Sequence, residues 1–232
     1  MTVIGFIPAR GGSKGIPRKN IVEINGRPLI SYTIGSSKES KLIDRTIVST
    51  DDDEIASISA SFGAEIPYIR PDEIAQDSTS MICVLNHFVL WLEENDIDVE
   101  CIALLQPTSP FRKGIHIDEA ISIFRASNAS SVVSVVEVPH QFNPYSIMKI
   151  SQDKSIKPYL NQTPTILRRQ DKPKFFARNG PAILICRPEI IKNNELYGEY
   201  CLPYFMSNFN SIDIDSPYDM KLADFMFQSN LL

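Results

Sequence analysis

The fold is decided near the start of the chain, by the stretch Val3-Ile4-Gly5-Phe6-Ile7-Pro8-Ala9-Arg10-Gly11-Gly12-Ser13-Lys14-Gly15-Ile16-Pro17-Arg18-Lys19-Asn20. Its first part is an apolar run that ends at a proline, which is typical of a buried strand. In the second part, glycines let backbone N–H groups turn toward a ligand, and four cations add positive charge at the strand end. The stretch predicts a strand followed by a loop that binds a polyphosphate.

Two familiar phosphate-binding motifs do not fit this loop. The dinucleotide fingerprint G-x-G-x-x-G requires glycine where Arg10 stands, and the Walker pattern G-x-x-x-x-G-K-[ST] requires lysine where Ile16 stands. A nicotinamide oxidoreductase is therefore excluded by the glycine spacing. A simple basic surface turn is the remaining alternative, but it does not need so many cations beside its glycines.

Short β-branched runs alternate with amphipathic helical stretches outward from this loop. The predicted strands are 3–7, 46–49, 66–69, 101–105, 131–138 and 211–215. The predicted helices are 28–36, 51–62, 78–94 with Ser78 as its cap, 114–126, and one that begins at Ser216 with Pro217 and Asp219 in its first turn. This alternation predicts an α/β fold, a three-layer α/β/α Rossmann-like sandwich with a mostly parallel sheet.

The regular pattern fails between residues 139 and 179. Prolines, aromatic residues and a basic cluster interrupt any helical period there, and the chain returns to the core at Ala182 to Cys186. We interpret 139–179 as an inserted arm of short strands and turns, within a single domain of residues 1–232.

Composition limits the function classes. With 23 Lys and Arg against 28 Asp and Glu, the net charge is −5, which disfavours a nucleic-acid partner. No apolar stretch approaches the roughly 18 residues that a membrane helix needs, and the first residues carry no cationic leader pattern. We therefore expect a cytoplasmic protein with no membrane partner.

The cysteines and histidines are scattered along the chain. Cys83, Cys101, Cys186 and Cys201 form no C-x-x-C pair, and none of the three histidines lies near another. This spacing supports neither a zinc site nor a disulfide framework, and we expect reduced, buried cysteines.

A second chemical signal is Asp213-Ile214-Asp215, at the end of the last predicted strand. The period of a strand would place both carboxylates on one face, where they could hold Mg²⁺ through oxygen. Acids before a capped helix also serve as caps or stay solvated. Beside a cationic loop, metal-assisted phosphoryl chemistry is the better interpretation.

Several motifs in order give the chain a family resemblance. They are Ile7 to Gly15 with Lys19-Asn20, Val48 to Asp51, Arg70-Pro71 with Ala75-Gln76-Asp77, Leu104 to Pro110, Asn179-Gly180, and Ser211 to Asp215. Over essentially its whole length the sequence resembles the acylneuraminate cytidylyltransferases, the CMP-sialic acid synthetase family. The resemblance implies that CTP and a nine-carbon 2-keto sugar acid give a CMP-sugar and pyrophosphate, with Mg²⁺ as cofactor.

The resemblance also implies roles for individual residues. The implied catalytic residues are Lys19, Arg10, Asp213 and Asp215, of which Lys19 is the transition-state cation and Asp213 and Asp215 hold the metal. The implied nucleotide site consists of Ala9, Arg10, Ser13, Lys14, Lys19, Asn20, Arg70, Ser80 and Gln106. The implied sugar site consists of Gln106, Arg169 and Asn179. In this family the arm commonly crosses to a partner subunit and helps to close its site, which implies a homodimer.

The chain departs from the sialic-acid enzymes mainly in and after the arm. Those enzymes usually have Asn-Gly-Ala-Ile-Tyr where this chain has Asn179-Gly180-Pro181-Ala182-Ile183-Leu184, without the tyrosine. The stretch Val138 to Tyr145 is more similar to relatives that activate legionaminic acid, a sialic-acid analogue with acylated amines. We therefore favour N,N′-diacetyllegionaminic acid over N-acetylneuraminic acid as the sugar substrate.

Three alternatives stay open at this point. The substrate could be N-acetylneuraminic acid, or another sugar acid such as Kdo or pseudaminic acid. A non-catalytic sugar-nucleotide sensor on the same fold is the third alternative, and Lys19, Asp213 and Asp215 argue against it. A pure binding protein does not need a pair of metal-binding carboxylates beside a cationic loop.

Overall fold

A computed structural model describes residues 1–160 and 168–229, with the backbone alone at position 169. The strands are β1 Thr2–Pro8, β2 Glu23–Ile24, β3 Arg27–Pro28, β4 Arg45–Ser49, β5 Val99–Leu104, β6 Ser131–Glu137, β7 Met148–Ile150, β8 Ile156–Pro158, β9 Phe176–Arg178, β10 Leu184–Cys186 and β11 Cys201–Phe205. The helices are α1 Leu29–Glu39, α2 Asp53–Ser61, α3 Met81–Glu94, α4 Gly114–Arg125, α5 Pro188–Lys192 and α6 Pro217–Gln228.

The central sheet has the order β11-β6-β10-β5-β1-β4. β4 and β5 pair with β1 in parallel, and β11 pairs with β6 in parallel. β10 lies antiparallel between β5 and β6, and β9 pairs antiparallel with the next part of β6. Five of these strands thus run in one direction, as the mostly parallel prediction requires.

Helices cover both faces of this sheet. On one face, Ile34 of α1, Ile55 of α2 and Ile121 of α4 belong to a single buried apolar cluster with sheet residues such as Ile7. On the other face, α3 packs Phe88 on Phe6 of β1, with ring centroids 4.3 Å apart. Burial of apolar surface on both faces stabilises the predicted three-layer α/β/α sandwich.

A smaller apolar cluster holds the C-terminal helix against the start of the chain. Ile214, Ala223 and Met226 pack with Ile16 of the glycine-rich loop and with Ile24 of β2. α6 begins as predicted, because the Ser216 side chain accepts a hydrogen bond from the Asp219 N–H and the Asp219 carboxylate reaches back. This cluster carries the segment with Asp213 and Asp215 toward the glycine-rich loop.

Two predicted strands and one predicted helix start are wrong. Residues 212–215 form no strand, because Ile214 alone is buried there and its N–H donates to the Thr108 carbonyl at 2.8 Å rather than to a neighbouring strand. Of residues 66–69, Ile69 alone makes an isolated bridge, to Thr50 just beyond β4. Helix α3 starts at Met81 rather than at Ser78, which lies in the preceding turn.

Strand β11 was not predicted, and its sequence explains why. Pro203 lies in its middle and cannot donate a hydrogen bond to a sheet, which argues against a central strand. β11 lies at the edge of the sheet and pairs with β6 only. An edge position tolerates the proline.

The arm has the predicted character over its described residues. It contains a short helical turn at His140–Phe142, a hairpin of β7 and β8, and strand β9, which returns to the central sheet. Residues 161–167 and the Arg169 side chain lie outside the described residues. The single-domain boundary of 1–232 stays a prediction.

The cysteines are free, as expected, but not uniformly buried. Cys101 and Cys186 lie in the core, Cys201 is half-buried and Cys83 is exposed. Within the described ranges, no helix is long and apolar enough to cross a membrane.

Candidate active site

A cleft opens where the loops after β1 and β5 leave the sheet. In the sheet, β1 lies between β4, which follows it in the chain, and β5, which comes later. The strand order thus changes direction at β1, and open α/β sheets commonly bind ligands in the crevice at such a point. The cleft has a volume of about 220 Å³. It is lined by Pro8, Arg10, Gly12, Ser13, Lys19, Asn20, Arg70, Ile74, Gln76, Asp77, Thr79, Met81, Val84, Gln106 and Thr108.

The glycine-rich loop is held by close backbone contacts on two sides. The Gly11 N–H donates to the Asp51 carboxylate at 3.0 Å, just beyond β4. At Gly15, a Cβ atom would lie 2.9 Å from the Asp215 carbonyl oxygen, so only glycine lets the loop approach that segment. These contacts bring residues 9–20 and 213–215 together, as their predicted shared function requires.

The four cations of the loop have different surroundings. Lys19 lines the cleft, and its Nζ lies 2.8 Å from Asp215 Oδ1. Arg10 also lines the cleft, and it pairs with Asp77. Lys14 pairs with the same carboxylate, at 2.8 Å, from a more exposed position. Arg18 instead binds Asp52 and Glu54 of the α2 start, and it holds the loop rather than facing the cleft.

Asp77 is an acidic residue that lines the cleft beside the cations of the loop. Its ion pairs with Lys14 and Arg10 lower the pKa of its carboxyl. Arg10 and Asp77 also border a second, more open depression beside the cleft, so their ion pair separates the two spaces. A triphosphate that binds Arg10 and Lys14 has to displace this carboxylate.

Three further predicted nucleotide contacts lie in the same loop. Ser13 lines the cleft. The Asn20 amide donates to the Arg10 carbonyl at 2.9 Å, so this side chain both borders the cleft and fixes the loop. The buried Ala9 joins the loop to β4 through a 2.9 Å bond from its N–H to the Ser49 carbonyl.

Arg70 is a buried cation in the wall of the cleft. It is only 4% exposed, and its guanidinium donates to the hydroxyl of Ser49 at 3.1 Å and to the Ser49 carbonyl at 2.5 Å. Burial lowers its pKa, and the charge of nearby Asp51 opposes that shift. Since the described residues place no carboxylate in hydrogen-bond contact with it, the charge is available to an anionic or carbonyl ligand.

Gln106 and Thr108 form the wall that follows β5. Both side chains line the cleft, and the Gln106 amide offers a donor and an acceptor there. Ser80 lies at the cap position of α3 between two lining residues, but its hydroxyl donates to Cys83 Sγ at 3.1 Å. Ser80 thus borders the cleft without lining it.

Asp213 and Asp215 have different environments. Asp213 Oδ1 is buried without a hydrogen-bond partner in the described part of the chain, and burial raises the pKa of this carboxyl. The Asp215 carboxylate is exposed and bonds to Lys19. The described residues contain no group of three or more His, Cys, Asp or Glu that could hold a metal by themselves. A cation here would thus need oxygen ligands from elsewhere, such as substrate phosphates.

The comparisons with known proteins place the chain in a family. A family model described as cytidylyltransferase matches residues 4–197. The chain belongs to the cytidylyltransferase family. Its relatives are enzymes of nucleotidyl transfer, and the chain is a nucleotidyltransferase.

Three relatives show the range of the similarity. CMP-N,N′-diacetyllegionaminic acid synthase of Legionella pneumophila is 33% identical over 99% of this chain and 98% of the relative. The enzyme of the same description from Campylobacter jejuni is 32% identical over 97% of this chain and 94% of its own length. N-acylneuraminate cytidylyltransferase of Escherichia coli is 32% identical over 95% of this chain, which spans 51% of that relative.

Solved structures agree on the fold. CMP:2-keto-3-deoxy-manno-octonic acid synthetase complexed with CTP superimposes with a TM-score of 0.73 at 15% identity, over 100% of both chains. 4-Diphosphocytidyl-2C-methyl-D-erythritol synthase from Anaerococcus prevotii gives a TM-score of 0.67 at 15% identity, over 98% of both chains. The three-layer α/β/α fold is thus shared with other nucleotidyltransferases.

In this cytidylyltransferase, the predicted sugar residue Asn179 is bonded inside the protein. It is buried, its Oδ1 accepts from the Ser134 hydroxyl at 2.5 Å, and its Nδ2 donates to the Ser211 hydroxyl at 2.8 Å. Ile183 stands where the sialic-acid enzymes have tyrosine, and both Ile183 and the following Leu184 are buried in the core clusters. A contact of Asn179 with the sugar stays a prediction, as does that of Arg169, whose side chain lies outside the described residues.

Two residues that hold parts of the site in place were not predicted from the sequence of this cytidylyltransferase. Ser49 anchors Arg70, and the Thr108 carbonyl accepts the Ile214 N–H beside Asp213. Ser49 is the last residue of β4, and Thr108 follows β5 in the same motif as Gln106. Their position at the carboxyl edge of the sheet was the available signal.

Proposed function

We propose that this cytidylyltransferase transfers CMP from CTP to the C2 hydroxyl of a nine-carbon 2-keto sugar acid, N,N′-diacetyllegionaminic acid, and releases pyrophosphate. The observation that carries the proposal is that Lys19 lines the cleft beside the glycine-rich loop and bonds to Asp215, on the same short segment as Asp213. A cation beside two carboxylates, next to a loop for phosphates, is suited to stabilise charge at a reacting phosphate.

The reaction needs positioning and charge stabilisation rather than a covalent intermediate. The C2 oxygen forms a bond to the α-phosphorus, the bond from that phosphorus to the bridging oxygen breaks, and the electron pair leaves with pyrophosphate. The C2 hydroxyl proton is released to the solvent in the same process. Arg10, Ser13, Lys14 and Asn20 hold the triphosphate, and Lys19 stabilises the charge that develops on the α-phosphoryl oxygens.

The other walls of the cleft bind the cytidine and the sugar. Arg70 and Gln106 are suited to the cytosine carbonyl and the ribose, since one is a buried donor and the other carries a donor and an acceptor. Ala9 supports this wall through its bond to β4. Ser80 borders the same side from the start of α3.

Asp213 and Asp215 fit a Mg²⁺ ion. The unpartnered Oδ1 of Asp213 is a buried acceptor that lacks a donor, and the exposed Asp215 carboxylate lies on the same short segment. Mg²⁺ in phosphoryl-transfer sites is commonly held by one or two carboxylates with substrate phosphates and waters. When bound, the ion supplies Lewis-acid stabilisation of the phosphate charge.

The relatives support N,N′-diacetyllegionaminic acid as the sugar. Two of the similar relatives are described as synthases of its CMP derivative, at 33% identity over 99% of this chain and 32% identity over 97% of it. The stretch 138–145 supports the same substrate. It precedes the hairpin of the arm and lines, with Lys172 and Lys174, a separate polar groove on the arm.

A panel of sugar acids tests the substrate. With CTP and Mg²⁺, the rate of pyrophosphate release is measured for N,N′-diacetyllegionaminic, N-acetylneuraminic and pseudaminic acids and for Kdo. We expect kcat/KM to be on the order of tenfold higher for N,N′-diacetyllegionaminic acid than for N-acetylneuraminic acid, since an acylated amine replaces the C7 hydroxyl and C9 carries no hydroxyl. An equal or higher kcat/KM for N-acetylneuraminic acid, or turnover of Kdo alone, would contradict this choice.

We also propose that the enzyme is a homodimer in which the arm of one subunit covers the site of the other. The arm exposes apolar side chains that a lone subunit would leave in water. Ile150 and Ile156, which face each other across the β7–β8 hairpin, are 78% and 65% exposed. A contiguous exposed apolar surface on a projecting hairpin is typical of a protein interface.

Charge on this hairpin is expected to break the dimer. The double variant Ile150→Glu/Ile156→Glu should sediment as a monomer and lose most of its turnover, because the arm no longer completes the partner's site. Leu90→Glu is the matched control, since Leu90 is a similarly exposed apolar residue on α3. A wild-type monomer in analytical ultracentrifugation, or a fully active monomeric variant, would refute the proposed role of the arm.

A further inference from the structure

Arg112 is a buried cation that the mechanism above does not use. It is 2% exposed, and burial alone lowers its pKa, to about 9, with no carboxylate acting on it within the described residues. A buried charge without an acidic partner is unfavourable for stability. An apolar residue would fill the same space at lower cost, which suggests that the guanidinium has a function.

The guanidinium connects two loops that lie far apart in the sequence, one at Gln106 and one at Ala182. Its Nη1 donates to the Gln106 carbonyl at 3.3 Å and to the Ala182 carbonyl at 2.6 Å. Its Nε donates to the Ser36 hydroxyl of α1 at 3.3 Å. The planar fork thus spans the loop after β5, the turn between β9 and β10, and α1, which a lysine could not do simultaneously.

One loop borders the cleft, and the other lies beside Asp213. The Gln106 carbonyl also accepts a hydrogen bond from the Thr33 hydroxyl at 3.2 Å, and Gln106 lines the cleft. The turn that contains Ala182 begins at Asn179, and a Cβ at Gly180 would lie 3.6 Å from Asp213 Oδ2. Arg112 therefore connects the backbone of Gln106 to the turn beside Asp213.

We propose that Arg112 is a positioning residue for this reaction: it fixes Gln106 against the Asn179–Ala182 turn so that the Gln106 side chain binds the nucleotide. The inference rests on the proposed nucleotide contact of Gln106. Arg112 itself reaches no substrate, since it does not line the cleft.

A double-mutant cycle on CTP binding tests the inference. The Kd for CTP is measured by calorimetry for wild type, Arg112→Lys, Gln106→Ala and the double variant. We expect each single variant to bind CTP about tenfold more weakly and the double variant no more weakly than Gln106→Ala, because residues that act as a unit are not additive. Arg125→Lys, which alters an ion-paired arginine on α4, is the matched control and should bind like wild type.

The outcomes separate this inference from the proposed reaction. Additive losses, or a single variant that binds like wild type, would overturn the role of Arg112. If Arg112→Lys fails to fold, Thr33→Val replaces it in the cycle, since it removes the other donor to the same carbonyl. A several-fold loss of CTP affinity in Thr33→Val that is absent in the Gln106→Ala background then supports the inference. An unchanged Kd for CTP in Thr33→Val overturns it. A wild type that binds CTP but converts no sugar acid contradicts the proposed reaction only.

Discussion

Replacement of Lys19 by alanine should lower kcat by about 10²- to 10³-fold, the loss seen when one preorganised donor to a developing charge is removed. Lys19 lies in the cleft and its ammonium is fixed by Asp215 at 2.8 Å, so it presents a positioned charge. The fold should be retained, since the side chain lies in no apolar cluster. Steady-state kinetics with saturating CTP and sugar acid, together with thermal unfolding, check both statements.

A matched control separates this effect from a general loss of positive charge. Lys192→Ala removes a lysine that pairs with Glu93 on the opposite face of the sheet from α1, away from the cleft. It should leave kcat unchanged. Lys19→Ala activity equal to wild type would remove the assigned role and revive the alternative of a sugar-nucleotide sensor.

Asp213→Asn and Asp215→Asn should each abolish turnover or raise the Mg²⁺ concentration needed for half-maximal rate. Each change removes one carboxylate from a cation that has only two on this segment, so the remaining ligands hold it less strongly. The rate is measured as a function of Mg²⁺ concentration. Asp98→Asn, an exposed acid at the other end of β5, is the control and should show the wild-type requirement.

The Asp213 variant should also differ from the Asp215 variant in stability. Because burial raises the pKa of Asp213, the neutral asparagine avoids the cost of a buried charge, and the melting temperature should stay equal or rise while activity is lost. Asp215→Asn breaks only an exposed ion pair and should leave the melting temperature unchanged. Full activity of both variants in the presence of a chelator would contradict the metal role.

The fold could be predicted where local signals agree with the tertiary structure. The apolar run before Pro8 and the cap at Ser216 belong to single elements whose own residues determine them. The strand at 211–215 failed because its alternating pattern has another cause, namely Ile214 packing against α6 while Asp213 Oδ1 is buried without a hydrogen-bond partner in the described part of the chain. β11 was not predicted because Pro203 argues against a central strand, and the sequence alone does not show that this strand lies at the edge of the sheet.

The site could be predicted in its parts but not in its internal contacts. Charge beside the glycines points to Arg10 and Lys19, the family resemblance adds Ser13, and the structure brings these three loop residues into one cleft. The ion pairs of Asp77 and the bridging bonds of Arg112 join segments far apart in the chain. No pattern along a single sequence encodes such pairings.

The central claim is the transfer of CMP to a 2-keto sugar acid, and phosphorus NMR of one reaction tests it directly. The wild-type enzyme is incubated with CTP, Mg²⁺ and N,N′-diacetyllegionaminic acid. The account predicts that the three CTP signals disappear while one phosphodiester signal and one pyrophosphate signal appear with integrals of 1 to 2, because each pyrophosphate carries two phosphorus atoms. CTP that remains unchanged with this sugar and with every other nonulosonic acid, while the enzyme is folded and binds CTP, would contradict the account.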